Sequence, residues 1–137
     1  MNKTGSDAKL YYGPAGSKAT NELENTKDVT LNLDRGEADV TTRGNDGWKA
    51  SIPGLKEASV EWEMVWDTDD AGFTAIKDAY FSGDPIALAV LDGENGSGLD
   101  ADFSIMSFSR NEPLEDAMSV SVTAKPARSS RAPQWID

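Results

Sequence analysis

The chain contains neither cysteine nor histidine, so several kinds of chemistry have no residues to carry them. Without cysteine there is no disulfide framework and no thiolate nucleophile. Without either residue, the usual zinc sites, cysteine proteases and Ser-His-Asp triads are excluded. The sequence therefore points away from the commonest metal and hydrolytic sites.

Long apolar stretches are missing as well. No segment approaches the ~20 consecutive apolar residues that cross a bilayer. The first seven residues, MNKTGSD, lack the apolar run of a signal peptide. We therefore expect a soluble protein that is made in a reducing compartment and has no membrane partner.

Positive charge is scarce, with 13 basic residues against 24 acidic ones and a net charge of −11. Residues 57–109 hold twelve acids and the single base Lys77, so this central block accounts for the whole net charge. Such a surface repels phosphate groups and is unsuited to gripping nucleic acid. The block either serves solubility alone or forms a surface that must not retain polyanions.

A chain of 137 residues is long enough for one domain, and a second domain is not expected. We predict a single domain over residues 1–137. It has a flexible N-terminal segment at residues 1–7, a long loop at residues 44–55 and a C-terminal arm at residues 126–137.

The strongest local pattern lies in residues 59–66, SVEWEMVW. Large apolar residues recur at a spacing of two, and Glu61 and Glu63 occupy the positions between them. This alternation is typical of a strand with one buried and one solvated face. Because Trp62 and Trp66 would each bury roughly 150–250 Å², other elements must cover that face.

The remaining chain predicts mostly strands. Residues 29–33 and 38–43 are expected to form a hairpin that turns at residues 34–37, and residues 99–110 and 117–125 form a second one. The almost wholly apolar segment 85–92 is typical of a strand covered on both sides.

One helix is expected at about residues 71–82. Phe73, Ile76 and Tyr80 recur at helical spacing, acidic residues at positions 67–70 supply an N-cap, and Gly83 fits a left-handed C-cap. The residues therefore predict a β-rich domain with one flanking helix.

Two segments carry apolar residues that their own surroundings do not explain. The loop at residues 44–55 contains Trp48, which either folds back as a lid on the sheet or docks on another molecule. The C-terminal arm carries Trp135 and Ile136, which nothing nearby in the sequence can bury. Burial against identical copies is the simplest explanation, and it can close rings. We therefore expect a homo-oligomer.

No catalytic, metal or cofactor site is predicted. The acidic run at residues 92–102 departs from the calcium loop of an EF-hand, because Ser97 and Phe103 stand where glycine and glutamate are required. Glu61 and Glu63 meet the spacing of a glycosidase pair only trivially, as neighbours on one strand. The chain is not expected to be an enzyme.

Several blocks of the sequence resemble the tail tube (major tail) proteins of long-tailed bacteriophages and related particles. They are KDVTLNL at 27–33, GEADVTTR at 36–43, Trp48, GLKEAS at 54–59, PIALAVLDG at 85–93 and FSRNEPLE at 108–115. The resemblance covers roughly residues 8–135, and the last block is the most specific.

The resemblance implies a β-sandwich or partly rolled barrel of about six to eight antiparallel strands, flanked by the helix. It also implies stacked hexameric rings whose inner strands join into one barrel with an acidic lumen. That lumen carries first a tape-measure protein and then DNA, which passes without specific binding. Tail terminator and initiator proteins would be further partners in the virion, and synthesis would take place in the bacterial host cytoplasm.

Carried onto this chain, the resemblance makes the long loop a contact between subunits or rings, and the termini inter-ring arms. The candidate interface residues are Arg43, Trp48, Ile52, Leu55, Trp135 and Ile136. The candidate lumen acids are Glu61, Glu63, Asp100 and Asp102.

An alternative function is a monomeric acidic β-sandwich that serves as a binding or adhesion module. Trp48 would then be the centre of its contact patch and would stay exposed until the ligand binds. Trp135 would have no role. Self-association is the property that separates this alternative from a tube subunit.

Overall fold

The computed structural model describes residues 2–137 as eight β-strands and one α-helix. In chain order they are β1 Lys9–Pro14, β2 Asn21–Glu22, β3 Thr26–Asp39, β4 Ser51–Val65, α1 Ala71–Ser82, β5 Ile86–Leu91, β6 Gly98–Asn111, β7 Ser119–Pro126 and β8 Gln134–Ile136. The predicted class, mainly β with one helix, is confirmed.

The strands form a single antiparallel sheet in the order β2-β1-β5-β6-β7-β4-β3. The sheet curls into a half-barrel. β8 pairs with the first residues of β6, while β7 pairs with the remainder of that strand. The predicted hairpin of residues 99–110 and 117–125 is present as β6 and β7.

The hydrophobic core lies on one face of this sheet. Trp62 from β4 and Phe103 from β6 are almost completely buried there, at 2% and 0% exposure. At one end α1 packs its Phe73 ring edge-on against Trp66 and Phe108, with ring centroids 5.0 and 5.9 Å apart. The helix therefore covers the aromatic face that the sequence pattern required it to cover.

The bounds of α1 are those expected from the sequence. The Asp70 carboxylate accepts a hydrogen bond from the backbone N–H of Phe73 at 2.8 Å, which satisfies one free donor of the first turn. Gly83 adopts a left-handed conformation at φ 77° and donates to the carbonyl of Ala79. This C-cap geometry strongly favours glycine.

β5 is buried on both faces, as its apolar sequence predicted. Ile86 and Leu88 belong to the main core. Ala87, Ala89 and Leu91 face the other way, into a smaller apolar cluster. Both faces of the sheet therefore have apolar cover at this strand.

The predicted hairpin with a turn at residues 34–37 is wrong. β3 runs straight through this segment and pairs with β4 as far as Asp39 and Ser51, with one register irregularity between Arg35 and Glu37. Gly54 lies so close to Gly36 that a Cβ on it would meet the Gly36 carbonyl at 3.2 Å. The turn-forming residues become a bulge because the partner strand offers a continuous hydrogen-bond ladder. The connecting loop is accordingly residues 40–50 rather than 44–55.

The two ends of the chain contact distant segments. The C-terminal arm folds back: β8 pairs with β6, and Ile136 packs against the smaller apolar cluster. Near the N-terminus, Gly5–Asp7 form a 3-10 turn, and Lys3 pairs with Asp92 at 3.0 Å. Both ends find partners in distant parts of the chain, which sequence proximity does not reveal.

Candidate assembly surfaces

A hairpin arm, defined as residues 33–58 of β3, β4 and their loop, extends beyond the covered core. Trp48 at its tip is 78% exposed, so the indole is not a lid on the sheet. Ile52 and Leu55 are also exposed, and Arg43 lies in a 3-10 turn beside the tip. Four of the six candidate interface residues thus share one protruding element.

A polar face lies on the side of the sheet away from the core. Glu61 stands between Thr30 of β3 and Thr123 of β7, and Glu63 stands between Lys27 and Ser121. The row continues onto β6, where Ser107 pairs with Thr123 and Ser109 pairs with Ser121. This face, made by β3, β4, β7 and the second half of β6, offers hydroxyls and carboxylates to whatever lies against it.

The same region of the sheet ends in a long free edge. Within residues 2–137, β3 pairs only with β4, so the other side of this 14-residue strand has no partner strand. Long edges with unpaired backbone groups are templates for pairing with another chain. The other edge of the sheet, β2, is only two residues long.

An ion cluster lies on the non-core side of β6, under the C-terminal arm. Arg131 donates from Nη1 to Asp100 and from Nε to Asp102, each at 2.9 Å. The backbone N–H of Gly16 donates to both oxygens of Asp102, at 3.1 and 3.0 Å, and Ser129 donates its hydroxyl to the same carboxylate. Both carboxylates are almost fully buried, at 4% and 2% exposure.

The charge state of this cluster follows from its contacts. Burial by itself raises the pKa of Asp102, but the hydrogen bonds from Ser129, Gly16 and Arg131 outweigh it. The pKa of Asp102 therefore lies below its ordinary value, and the carboxyl stays ionised at neutral pH. The cluster ties the C-terminal arm to the sheet through one partly buried cation.

This arrangement corrects the prediction for Asp100 and Asp102. They were expected among the acids that face an open lumen, whereas the structure buries both beneath the arm and pairs them with Arg131. Of the four candidate lumen acids, Glu61 and Glu63 remain on the polar face. No local pattern pointed to Arg131, because its partners lie about 30 residues away, on another element.

An apolar cavity of about 420 Å³ opens between the base of the hairpin arm and the C-terminal arm. Its apolar lining is Leu33, Ala58, Leu99, Pro126, Pro133 and Trp135. Trp135 is 54% exposed and Leu33 is 56% exposed. Leu99 pairs with Trp135 at the opposite end of β6 from the helix-covered Phe108. Leu33 and Leu99 were not among the candidate interface residues.

The predicted interface residues therefore fall into two groups. Arg43, Trp48, Ile52 and Leu55 lie on the hairpin arm, whereas Trp135 lines the cavity and Ile136 packs against the smaller cluster.

Among residues 2–137, no helix is long and apolar enough to pass through a membrane.

A curled β-sheet with a long free edge, a polar rear face and a protruding hairpin that exposes Trp48 is suited to a structural protein that contacts other chains. Comparison with known families makes the assignment specific. The model of the phage tail tube protein family matches residues 3–127. The chain belongs to this family and is a structural protein of the tail tube.

Solved structures with the same fold come from assembled tails. The subunit in the tail of an empty gene transfer agent particle, refined with C6 symmetry, has a TM-score of 0.83 at 17% identity, covering 99% of this chain and 100% of that one. A chain in the virion of a native gene transfer agent has a TM-score of 0.76 at 15% identity, with the same coverage. The subunit of the SPP1 tail tube has a TM-score of 0.69 at 21% identity, and the match covers 90% of this chain and 75% of that one. No curated protein matches in sequence.

Proposed function

We propose that this tail tube protein assembles into stacked hexameric rings whose sheets join into one continuous β-barrel around a bore for DNA. Its role is purely structural, without catalysis. The observation that carries the proposal is that the polar face and the free edge belong to the same strands. Pairing the β3 edge with a neighbouring sheet removes an exposed edge. It also directs a polar surface towards the centre of the ring.

Six-fold symmetry is supported by the gene transfer agent tail, which shares the fold and was refined with C6 symmetry. A head-to-tail contact between copies closes a ring when the rotation between neighbours closes. Where β4 pairs with β7, the polar face presents Glu61, Glu63, Ser121 and Thr123, which are side chains that would not adhere to cargo passing through the bore. Glu61 and Glu63 repeat in every copy and repel the DNA phosphates.

The proposed partners follow from this placement. The protein is a component of the virion, made in the bacterial host cytoplasm. Its tube encloses a tape-measure protein before DNA passes, and terminator and initiator proteins meet its two ends. None of these contacts requires a metal or a cofactor.

Electron microscopy of the concentrated purified chain, together with light scattering, tests the assembly. We expect rings or tubes with six-fold end views. A chain that remains monomeric at every concentration, both alone and with an initiator complex, would contradict the proposal. Tubes with another rotational symmetry would contradict the hexamer but not the tube.

The polarity of the bore can be tested on assembled tubes. Replacing Glu61 and Glu63 with lysine should leave assembly intact and cause the tubes to retain short single-stranded DNA in a co-sedimentation assay at low salt. The matched control replaces Asp78 and Asp84 with lysine, because both are exposed and lie on or just after α1, which covers the opposite face of the sheet. Equal retention by both variants would place Glu61 and Glu63 outside the bore.

A further inference from the structure

Trp48 is a large side chain without cover in its own chain. It sits in the loop between β3 and β4, and 78% of its surface is exposed. A fully buried aromatic side chain removes roughly 150–250 Å² from water, and tryptophan is among the residues most enriched at the energetic centres of interfaces. An indole held at the end of a protruding hairpin is therefore suited to insertion into another molecule.

The cavity between the hairpin arm and the C-terminal arm, named the socket from here on, is complementary to an indole. Leu33, Leu99 and Trp135 give it an apolar lining, and its volume of about 420 Å³ is large enough to accept an indole. Asp34, Arg35, Lys56 and Glu57 also line it, with no net charge in sum. An apolar centre with a polar, charge-balanced rim is the usual anatomy of a protein interface.

The charge distribution favours a second copy of the chain as the occupant. Residues 40–50 carry Arg43, Lys49 and Asp46, for a net charge of +1, so the other 126 residues carry −12. The tip is thus a slightly basic segment of an acidic protein, and the long-range attraction between it and the acidic body of an identical molecule favours their encounter. The tip does not reach the socket of its own chain, because β3 and β4 hold the two apart.

The distance along the hairpin arm excludes insertion within one chain. From Leu33, at the socket, β3 continues six residues to Asp39 before the loop begins, which is about 20 Å at the rise of an extended strand. Tip and socket are different surfaces of the same chain, so each copy offers one of each. When each copy gives its tip to the next one and receives the tip of the previous one, the contact is head-to-tail and propagates from copy to copy.

We propose that Trp48 of one copy inserts into the cavity formed by Leu33, Leu99 and Trp135 of the next copy, and that this contact joins successive subunits of the tube. The inference rests on the proposed self-assembly and adds the partner surface of the hairpin tip. The C-terminal arm then serves as a wall of the socket, held in place in its own chain by Arg131.

Cysteine pairing tests this contact cleanly, because the natural chain contains no cysteine. Lys49→Cys places a thiol beside Trp48, and Glu57→Cys places one at the rim of the socket. Within one chain, the stretch of β4 from Ser51 to Glu57 spans about 20 Å. Lys49 lies beyond Ser51 in the loop, so it is still farther from Glu57. A disulfide needs Cα atoms about 4–7 Å apart. A disulfide in this variant must therefore join two copies.

Under assembly conditions, oxidation of K49C/E57C is expected to give a regular ladder of dimers, trimers and higher multiples on a denaturing gel. The matched control K49C/L114C moves the second thiol to Leu114, which is 99% exposed on the β6–β7 turn, and should give no ladder. Adding Trp48→Ala to K49C/E57C should reduce the ladder by about tenfold or more, the effect of losing a strong interface anchor. The melting temperature of the unassembled variant should be the same with and without Trp48→Ala.

Each result has one meaning. Tubes that form by electron microscopy while K49C/E57C gives no more cross-linking than K49C/L114C overturn this inference and leave the proposed tube intact. A product that stops at the dimer also overturns it, because reciprocal insertion would close a pair of copies instead of joining successive subunits of a tube. Failure of the wild-type chain to assemble at all overturns the proposed function itself, and this inference with it.

Discussion

Replacing Arg131 with methionine is expected to be the most informative change to the stability of this chain. The guanidinium contacts the buried carboxylates of Asp100 and Asp102 at 2.9 Å each. Methionine keeps much of the packing volume but leaves two carboxylates buried on one face without their cation. Removing one partner of a buried ion pair costs about 3–5 kcal/mol. Native domains have only about 5–15 kcal/mol in total.

Urea denaturation at pH 7, followed by circular dichroism, measures this loss through the shift of the midpoint at constant slope. Arg128→Met is the matched control, because Arg128 is exposed on the same arm three residues earlier and should change the free energy of unfolding by less than about 0.5 kcal/mol. If Arg131→Met and Arg128→Met prove equally mild, the cluster is not what holds the arm.

The pH dependence gives a second, independent readout. In the wild type the pKa of Asp102 is lowered on folding. Its contribution to the free energy of unfolding is therefore present above the unfolded-state pKa of about 3.9, and it is lost as the pH falls from there through the folded-state pKa. In Arg131→Met the Asp102 carboxylate loses the cation that helps to lower its pKa, so the variant has less of this stability for acid to remove. The stability gap between the two proteins should therefore narrow between pH 7 and pH 3. A gap that stays constant or widens would refute this electrostatic account.

Two smaller changes test the local structure. Asp70→Ala removes the N-cap of α1 and should lower the free energy of unfolding by about 1 kcal/mol, whereas Asp70→Asn should retain most of it; equal losses would show that the cap hydrogen bond contributes nothing. Gly98→Ala should be much more damaging, because its Cβ would collide with the carbonyl oxygen of Val90 on the paired strand β5. A Gly98→Ala protein with an unchanged melting temperature would show that β5 and β6 are not this close.

The position of α1 could be predicted to the residue, because every determinant is local. Asp70, Gly83 and the apolar repeat between them lie within one stretch of chain, and the structure uses each as expected. The strand of residues 59–66 was predictable for the same reason, since its alternation fixes which side chains share a face. Its apolar side chains pack in the core, and Glu61 and Glu63 face the other way.

The hairpin arm shows where local pattern was insufficient. Residues 34–37 have turn-forming composition, and only their register with Lys56 and Pro53 on β4 shows that they form a bulge within a 14-residue strand. The hydrogen bonds of a long ladder outweigh a weak local preference. The exposed tip with Trp48 was evident from its composition, but the distance it projects depends on that pairing.

By itself, the sequence determined the mainly β class, the single helix, the strand that carries the two core tryptophans, the absence of cysteine and histidine chemistry, and the resemblance to tail tube proteins. Tertiary structure alone decided that Asp100 and Asp102 are buried beneath Arg131, and that Trp135 lines a cavity together with Leu33. These contacts join residues far apart in the chain. Whether a carboxylate meets water or a buried cation depends on which distant segment covers it, and no local pattern of residues encodes that segment.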